Sequence, residues 1–438
     1  MKRTILWIWI IVLLMISVNV NAQQRQRASL NDCIKIALKN NTDIVSAKSN
    51  YLINKEGLRS AVGNFLPRIS ANAQYTRRSE ALIMFRYQDL VSSKDSYYYG
   101  ISFSQPIFSG FRNYATLKKS QLETGMYEYF LTNTEQLTQL AVKSKYFDVL
   151  KNEQLLEVAK EALNRSEEEL TRIETMQRVG SVSMAEVFQQ KVRVGENRLA
   201  FIEAQNALSN SKTELNHTLG IDINTDLELE EQELEFQKIT VNFDELINQA
   251  LENRVDYLAV KNKYDRARYD VVAQRSGYYP QLSLEADYNW FDVNLPGSRR
   301  DLDEFDSYSV SVNMSLNLFN RFQTSSGVGM AKASLVAADA ELEQSKRQVT
   351  LDVKQAILTL QMSEENINVT NENLIAAEED YRLAKERYAI GAGTLLEQIT
   401  AEVALTSAKA NRIRALYDYT YSIAALELAV GKFTVIDE

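Results

Sequence analysis

The longest uninterrupted helical pattern in the sequence covers residues 330–390, which contain neither proline nor glycine. Since these two residues most disfavour a helix interior, their absence predicts one continuous helix of roughly 90 Å. Two rows of residues repeat every seven positions along it: Val353, Leu360, Ile367, Leu374, Tyr381 and Tyr388, and the mostly small row Val349, Ala356, Ser363, Thr370, Ala377 and Ala384. This spacing is typical of a coiled-coil seam. The pattern ends at Gly391, and a second helical pattern follows.

Residues 1–22 have the composition of a secretory signal peptide. Lys2 and Arg3 precede an apolar run over residues 5–18, and Ala22 is a small residue suited to cleavage. The apolar run is too short to cross a bilayer comfortably as an anchor. We therefore expect export with cleavage after Ala22. The residue directly after that point is Gln23 and not a cysteine, which argues against a lipid anchor.

The composition excludes several classes of protein. A formal net charge of −9 argues against a nucleic-acid partner. The single cysteine, Cys33, lies on an apolar helical face, which predicts a buried thiol and no intrachain disulfide. Any histidine-based catalytic triad would have to use His217, the only histidine, whose place late in a helix favours capping or packing. Since no phosphate-binding glycine loop or Cys/His metal cluster is present, we expect no enzymatic activity and no cofactor.

The mature sequence contains one structural unit written twice. Residues 30–40 resemble residues 243–253, and the same spacing separates Pro67 from Pro280. In each copy, two helical segments precede two alternating segments, a very long helix, a glycine-containing turn and another long helix. Each unit is therefore expected to contain helices, then two strands, then a pair of long helices. The duplication of this unit predicts two structural repeats.

The predicted boundaries follow from this duplication. The first repeat covers residues 23–221, with strands at about 67–107 and long helices at about 111–219. Residues 222–240 form an acidic equatorial connector, either a short strand or a loop. The second repeat covers residues 241–438, with strands at about 280–319 and long helices at about 322–430. We expect the two long helices of each repeat to pair as an antiparallel coiled coil. The rows that predict this pairing are Val142, Val149, Leu156, Leu163, Leu170; Val187, Val194, Phe201, Leu208, Leu215; and Ile399, Val403, Thr406, Ala410, Ile413, Tyr417, Thr420, Ala424.

Four segments alternate between apolar and polar residues over roughly ten positions each. Their apolar rows are Ile69, Ala71, Ala73, Tyr75; Tyr97, Tyr99, Ile101, Phe103, Ile107; Leu282, Leu284, Ala286, Tyr288, Trp290; and Tyr308, Val310, Val312, Met314, Leu316, Leu318. Aromatic residues collect at the ends, among them Tyr97–Tyr99 and Phe319, as in the interfacial girdles of membrane barrels. A soluble sheet with one buried face would alternate too, but four such strands behind a signal peptide favour a wall in lipid. Because four strands cannot close a barrel, chains must share one, and three chains would give twelve strands.

Several short motifs, found in the same order in both copies, carry a resemblance to a known family. Phe65-Leu66-Pro67 and Tyr278-Tyr279-Pro280 precede the first strand of each pair, and Gln105-Pro106-Ile107-Phe108-Ser109-Gly110 leads into a long helix. With the glycine turns at 178–182 and 388–394, this plan resembles the TolC-like family of outer-membrane efflux proteins. The resemblance implies a homotrimer with a twelve-stranded β-barrel in outer-membrane lipid, continued across the periplasm by a long α-helical barrel.

The resemblance also implies roles for residues at the helix turns. Glu186, Tyr388 and Glu397 match positions of the family's periplasmic gate, although Gly393 stands where the family has a gate arginine, and Ala185 and Thr400 replace other polar partners. A ring of three Glu397 side chains would favour cations. Alternatively, both glutamates are ordinary helix-start residues. The turn residues implied to contact a periplasmic adaptor protein are Arg178, Val179, Gly180, Ser181, Ile390, Gly391, Ala392 and Gly393.

The sequence thus favours one function and leaves one alternative from another class. The first hypothesis is the exit duct of a tripartite efflux or type I secretion system, which receives cargo from an inner-membrane pump through the adaptor. The alternative is a soluble periplasmic coiled-coil scaffold whose strands form a tip domain. The two differ in whether the alternating segments face lipid. Drugs, metals, polysaccharide precursors and proteins remain open as cargo.

Overall fold

The computed structural model describes residues 27–86, 89–231, 234, 236, 238–239, 242–297, 301 and 305–433; the predicted signal peptide lies outside them. The first copy of the unit consists of α1 (Leu30–Asn40), α2 (Thr42–Gly63), β1 (Arg68–Arg86), β2 (Asp89–Phe108), α3 (Arg112–Arg178) and α4 (Met184–Leu219). The second consists of α5 (Phe243–Asn253), α6 (Val255–Arg275), β3 (Gln281–Asp292), β4 (Asp306–Ser315), α7 (Gln323–Ala389) and α8 (Leu395–Val430). The predicted duplication of the unit is confirmed.

Local signals fix the ends of the long helices in the same way in both copies. Ser183 and Thr394 cap the starts of α4 and α8, and each forms a capping box with a glutamate three residues later. Gly220 and Gly431 end these two helices in the left-handed conformation, with φ of 69° and 75°. The same local sequence therefore produces the same helix boundaries twice.

The four strands form one antiparallel sheet in the order β1-β2-β3-β4. Their register places the apolar rows together: Ala71 lies opposite Ile101, which lies opposite Tyr288, and Tyr288 lies opposite Tyr308. The opposite face carries Ser, Asn, Gly and Asp side chains along the same strands. One wall of the sheet is therefore apolar and the other polar, as the alternation predicts. Val310 and Met314 on the apolar wall are 70% and 69% exposed in the single chain.

The strands differ in length from the expected ten residues. β1 and β2 are 19 and 20 residues long, whereas β3 and β4 have 12 and 10. Leu316 and Leu318 were expected in the last strand but lie beyond its end. Tyr97–Tyr99 were expected at a strand end but lie inside β2, because the hairpin continues past this aromatic level. The alternation alone did not reveal how far the pairing extends.

Each long helix packs antiparallel against its successor, α3 against α4 and α7 against α8, and the two pairs meet where α3 contacts α8. The predicted seam of α7 is confirmed, since Val349, Val353 and Leu360 are at most 1% exposed. The predicted seam of α8 is wrong at Val403, which is 40% exposed, while Leu405 is buried instead. Because α8 packs against two neighbours, its buried face lies between them.

Two apolar cores surround the middle of the long helices. One joins α1 to α3 and α4 and contains Cys33, which is buried as predicted. The other joins α5 to α7 and α8. The connector contributes a short parallel bridge between Ala28 and Leu229, so the predicted connector is held by backbone pairing at that point. None of the described helices combines the length and apolarity needed to cross a membrane.

Candidate functional site

The two turns that join the long helices form the far end of the molecule from the sheet. Gly180 and Gly391 sit at equivalent points of these turns with φ of 78° and 76°, a conformation that favours glycine. The apolar residues just before them, Val179 and Ile390, are 74% and 80% exposed. The other proposed adaptor contacts are also exposed, except Gly393, which is half-buried.

Glu186 and Glu397 both close capping boxes. The Ser183 backbone N–H donates to the Glu186 carboxylate at 3.2 Å, and the Thr394 N–H donates to Glu397 Oε2 at 3.4 Å. These contacts give both glutamates the ordinary helix-start role that the sequence left open. Glu397 also lies 3.6 Å from the Arg387 guanidinium, an exposed ion pair.

Tyr388 joins the two copies at this end of the molecule. Its hydroxyl donates to Glu186 Oε2 at 3.1 Å, so the structure brings together two of the three predicted gate residues. Burial, followed by this hydrogen bond, raises the pKa of Tyr388 to about 12, so its hydroxyl stays a donor at neutral pH. The Arg172 guanidinium lies 5.4 Å from the centre of the tyrosine ring. Glu397 belongs to a separate set of contacts around its own helix start.

Gly393 stands in a compact part of the second turn. A side chain placed there would bring its Cβ within 3.1 Å of Arg387 Cβ and 3.3 Å of the Tyr388 backbone nitrogen. Arg387 folds over this position and donates to the Ala392 carbonyl at 3.2 Å. The missing side chain at 393 therefore makes room for Arg387, which supplies the positive charge of this turn from another position.

A small apolar cluster packs the two turns together. We call Ile173, Val187 and Leu395, which are buried, and the half-buried Tyr388 and Ile399 the tip cluster. These residues come from α3, α4, α7 and α8. The sequence placed three of them, Val187, Tyr388 and Ile399, on seven-residue rows, but the contact between the two repeats carries no periodic signal of its own. Ile173 was missed as a functional residue for that reason.

Above the tip cluster lies a buried polar layer, which we define as Arg165, Gln190, Arg193, Gln398 and Glu402. Arg165 Nε lies 3.8 Å from Glu402 Oε1, and Gln190 donates to the Ser166 carbonyl at 2.9 Å. Burial raises the pKa of Glu402, and Arg193 and Arg165 oppose this shift. Atoms of all five side chains are buried without a hydrogen-bond partner. Such a layer is a weak point in helix packing, since desolvated polar groups cost free energy.

Two further apolar rows lie exposed on the outer helices of the single chain. Along α4, every three or four residues, the row comprises Ala185, Phe188, Val192, Gly195, Leu199 and Ile202. Along α7, every seven residues, the row comprises Met362, Val369, Ala376, Leu383 and Ile390, most of them exposed. Both rows point away from the seams inside the chain, so each offers a second coiled-coil surface.

The described residues were also searched for chemistry. No group of three or more His, Cys, Asp or Glu side chains in them is placed to hold a metal ion. His217 lines a shallow cleft with Asn40, Thr42 and Gly220 near the middle of the molecule. The distinctive features of the chain are thus the two-faced sheet, the long helices and their turns.

A sequence profile of the family described as outer membrane efflux protein matches residues 33–221 and 246–432. The chain belongs to this family. It is 23% identical to the outer membrane protein TolC of Vibrio cholerae over 403 residues, 92% of this chain and 90% of TolC. It is 22% identical to TolC of Escherichia coli over 391 residues, 86% of this chain and 76% of that protein.

Solved structures show the same fold. The CmeC outer membrane channel of Campylobacter jejuni superposes with a TM-score of 0.80 at 19% identity, covering 92% of this chain and 85% of CmeC. The outer membrane protein VceC of Vibrio cholerae gives 0.78 at 18% identity, covering 92% and 96%. The fold is therefore that of trimeric channels in which a barrel continues into a helical tunnel, and one chain supplies an open part of that barrel.

As an outer membrane efflux protein, the chain is an outer-membrane channel with a periplasmic helical extension. Its role is that of the exit duct of a tripartite efflux system. The apolar wall of the sheet faces lipid in this setting, and the polar wall faces the lumen. The soluble scaffold alternative is set aside.

Proposed function

We propose that three copies of this chain form one duct that passes cargo, without chemistry, from an inner-membrane pump and a periplasmic adaptor to the outside. The observation that carries the trimer is the sheet: it has an apolar wall and two outer edges, on β1 and β4, that pair with no other strand among the described residues of one chain. An open edge in lipid leaves backbone groups without partners, so β4 of one copy pairs with β1 of the next.

The exposed helical rows support the same assembly. Inside one chain the four long helices lie side by side in the order α4, α3, α8, α7. The two outer helices of this row are therefore α4 and α7. Their apolar rows come together when α7 of one copy packs against α4 of the next. Phe188 and Leu383, 58% and 45% exposed in one chain, lie on these rows and become buried in this seam. The helical tunnel then closes through the same contact, used three times.

The assembly is tested with Phe188→Glu and Leu383→Glu, each of which buries an unpaired charge in the proposed seam. We expect light scattering of the detergent-extracted protein to show a mass below three chains. Glu203→Gln, an exposed position of α4 outside the row, is the control and keeps the trimer. Trimers of unchanged mass and melting temperature in both glutamate variants would rule out this seam.

The gate belongs to the proposal as well. Tyr388 and Glu186 hold the two turns of one chain together at rest, and parting them widens the periplasmic end. This is supported by their 3.1 Å hydrogen bond and by the tip cluster beside it.

Glu397 completes the gate as an acidic ring near the constriction. We expect Glu397→Gln to reduce cation preference in single-channel recordings, and unchanged selectivity would remove Glu397 from the gate.

The exposed turn residues are the proposed adaptor contacts: Arg178, Val179, Gly180, Ser181, Ile390, Gly391, Ala392 and Gly393. Val179 and Ile390 are the apolar side chains that a partner could cover. Val179→Asp and Ile390→Asp should abolish efflux while the trimer stays intact, whereas Ser181→Thr should not. Full efflux in both aspartate variants would exclude the turns as the contact.

The organisation of the chain completes this proposal. Residues 1–22 act as the export signal, residues 23–221 and 241–438 as the two repeats, and residues 222–240 as the equatorial connector. Mass spectrometry of the purified protein tests the first of these boundaries. A mature chain that begins after Ala22 supports it, and a retained N-terminus contradicts it.

A further inference from the structure

The hairpin of the first copy rises well beyond the rest of the sheet. On this side of the sheet, β3 ends at Asp292, opposite Tyr97, and β4 begins at Asp306, opposite Trp290. Past this level β1 and β2 pair only with each other. We call residues 76–85 and 90–95 the outer arm. Since its six residues on β2 span roughly 20 Å and the helices leave the other end of the sheet, the arm extends outward, away from the periplasm.

The side chains of the outer arm change character along its length. Next to the aromatic residues Tyr75 and Tyr97 comes a charged band with Arg77, Arg78, Glu80, Lys94 and Asp95. Beyond this band the arm is apolar, with residues Leu82, Ile83, Met84, Phe85, Leu90 and Val91. The charged band separates these apolar residues from the lipid-facing wall. The end of the arm therefore stands in water and not in hydrocarbon.

The apolar end of the arm is largely uncovered by the other described residues of the chain. Ile83 and Phe85 are each 67% exposed, and Leu90, which lies opposite Phe85, is 70% exposed. Leu82, Met84 and Val91 make the other face apolar too. Neither outer edge of the arm pairs with another strand in the part of the chain that the structure describes. A long apolar strand with open edges invites pairing with another chain, so natural proteins normally protect it.

A bulge at the base of the arm allows it to change direction. The register passes from Arg77 opposite Asp95 to Leu82 opposite Ser93, so residues 78–81 on β1 face only Lys94 on β2. Extra residues on one strand bend a hairpin and increase its twist, and such bulges are common at barrel rims. The arm therefore can lean across the barrel mouth.

The dimensions permit contact between arms. Twelve strands spaced about 4.8 Å apart and tilted by about 40° enclose a barrel roughly 25 Å across. An arm of roughly 20 Å is longer than the roughly 12 Å from rim to axis. Three arms rising from one rim can thus meet above the mouth.

We propose that the apolar ends of the three outer arms pack against one another over the barrel mouth and form an outer lid of the duct. The apolar end of each arm thus contacts the same residues of the arms of the other two chains. This contact continues the barrel that the three chains share. This inference rests on the proposed trimer. The lid hinders passage between the lumen and the outside until the arms part, independently of the turns at the periplasmic end.

The test places a single reactive thiol on the arm. Because the only native cysteine is buried, Leu90→Cys adds the one exposed thiol, and a short bismaleimide should link two copies within a trimer. Lys94→Cys, at the rim, is the matched control and should not cross-link. Adding Ile83→Asp and Phe85→Asp to Leu90→Cys should abolish the cross-link and raise single-channel conductance, whereas Phe85→Leu should leave conductance unchanged.

The mass of the particle separates the possible failures. If light scattering shows no trimer for the wild-type chain, the proposed assembly fails. If the trimer forms but Leu90→Cys does not cross-link and the aspartate pair leaves conductance unchanged, the lid is overturned and the duct stands. Cross-linking of Leu90→Cys to a different envelope protein, or its labelling by a lipid-soluble maleimide, would overturn the lid by giving the arm another occupant.

Discussion

The two copies of the unit have nearly the same long helices and different surfaces. α3 and α7 both contain 67 residues, α4 and α8 both contain 36, and the residue before each very long helix, Phe111 or Phe322, is left-handed. The copies differ where side chains meet. Leu395 is buried in the tip cluster, whereas Met184, at the same place in the first copy, is 51% exposed.

The features shared by both copies form the architecture of the duct, whereas the features found in one copy only are those proposed to open and close it. Capping residues, turn glycines and heptad rows are the same in both copies, and they produce the same helices. The tyrosine of the gate, the buried polar layer and the outer arm each depend on residues or lengths found in one copy only. A duplicated chain can therefore keep its architecture while its two halves take different parts in opening and closing.

The largest effect on stability is expected from truncating Leu395, which is buried in the tip cluster, whereas its counterpart in the first copy is exposed. Leu395→Ala removes packing from the tip cluster and should lower the free energy of unfolding by about 2–4 kcal/mol. Met184→Ala, at the equivalent exposed position, should change it by no more than about 0.5 kcal/mol. Apparent melting temperatures of the trimer in detergent measure both. Equal losses would mean that the two copies pack alike at this end.

The turn glycines should behave alike, because their backbone conformation is the same. Alanine at Gly180 or Gly391 has free space around it but must adopt a positive φ. We expect each substitution to destabilise the protein by about 1–2 kcal/mol. Chemical denaturation of the two variants checks this. A cost at one turn only would show that the copies differ in backbone strain as well as in surface.

Much of the architecture follows from the sequence for a physical reason. Helix caps, left-handed glycines and seven-residue rows act over short distances, so the ends of the long helices and the seam of α7 were predicted within a few residues. The common apolar wall of the sheet also followed, since alternation fixes which side chains share a face. The family motifs gave Tyr388 and Glu186 as candidates for one gate.

The rest depends on contacts between distant parts of the chain. Ile173 lies off the predicted heptad row, and only the meeting of α3 with α4 and α8 buries it. Val403 was misplaced because α8 has two partners, which a single seam does not describe. Glu402 reads as one more charged residue on a long helix, yet it is 4% exposed. The length of the outer arm escaped prediction because the alternation is interrupted at the bulge.

A smaller effect is expected from removing the hydrogen bond that joins the two repeats within one chain. Tyr388→Phe keeps the ring in the tip cluster but removes the donor to Glu186, which should lower stability by about 1 kcal/mol and increase channel opening. Tyr381→Phe, one heptad earlier on the same helix, is the control. Single-channel recordings and melting curves provide the two measurements. If opening is unchanged while stability falls, the bond holds the fold but not the gate.

The smallest effect is expected at Glu402, whose counterpart in the first copy, Lys191, is exposed. Burial raises the pKa of Glu402, so the folded chain binds its proton more readily than the unfolded chain does. The contribution of Glu402 to stability therefore falls as the pH rises through the carboxyl range, and Glu402→Gln, which has no charge to bury, should melt slightly higher at neutral pH. The difference in melting temperature between Glu402→Gln and the wild type should shrink as the pH is lowered. It should vanish below the ordinary pKa of a glutamate, where residue 402 is uncharged in both proteins. Glu196→Gln, which neutralises an exposed partner of Arg193, is the matched control for the loss of one negative charge. A glutamine variant that melts lower at neutral pH would mean that Arg165 and Arg193 more than offset the burial, and the polar layer would then fasten the two copies together.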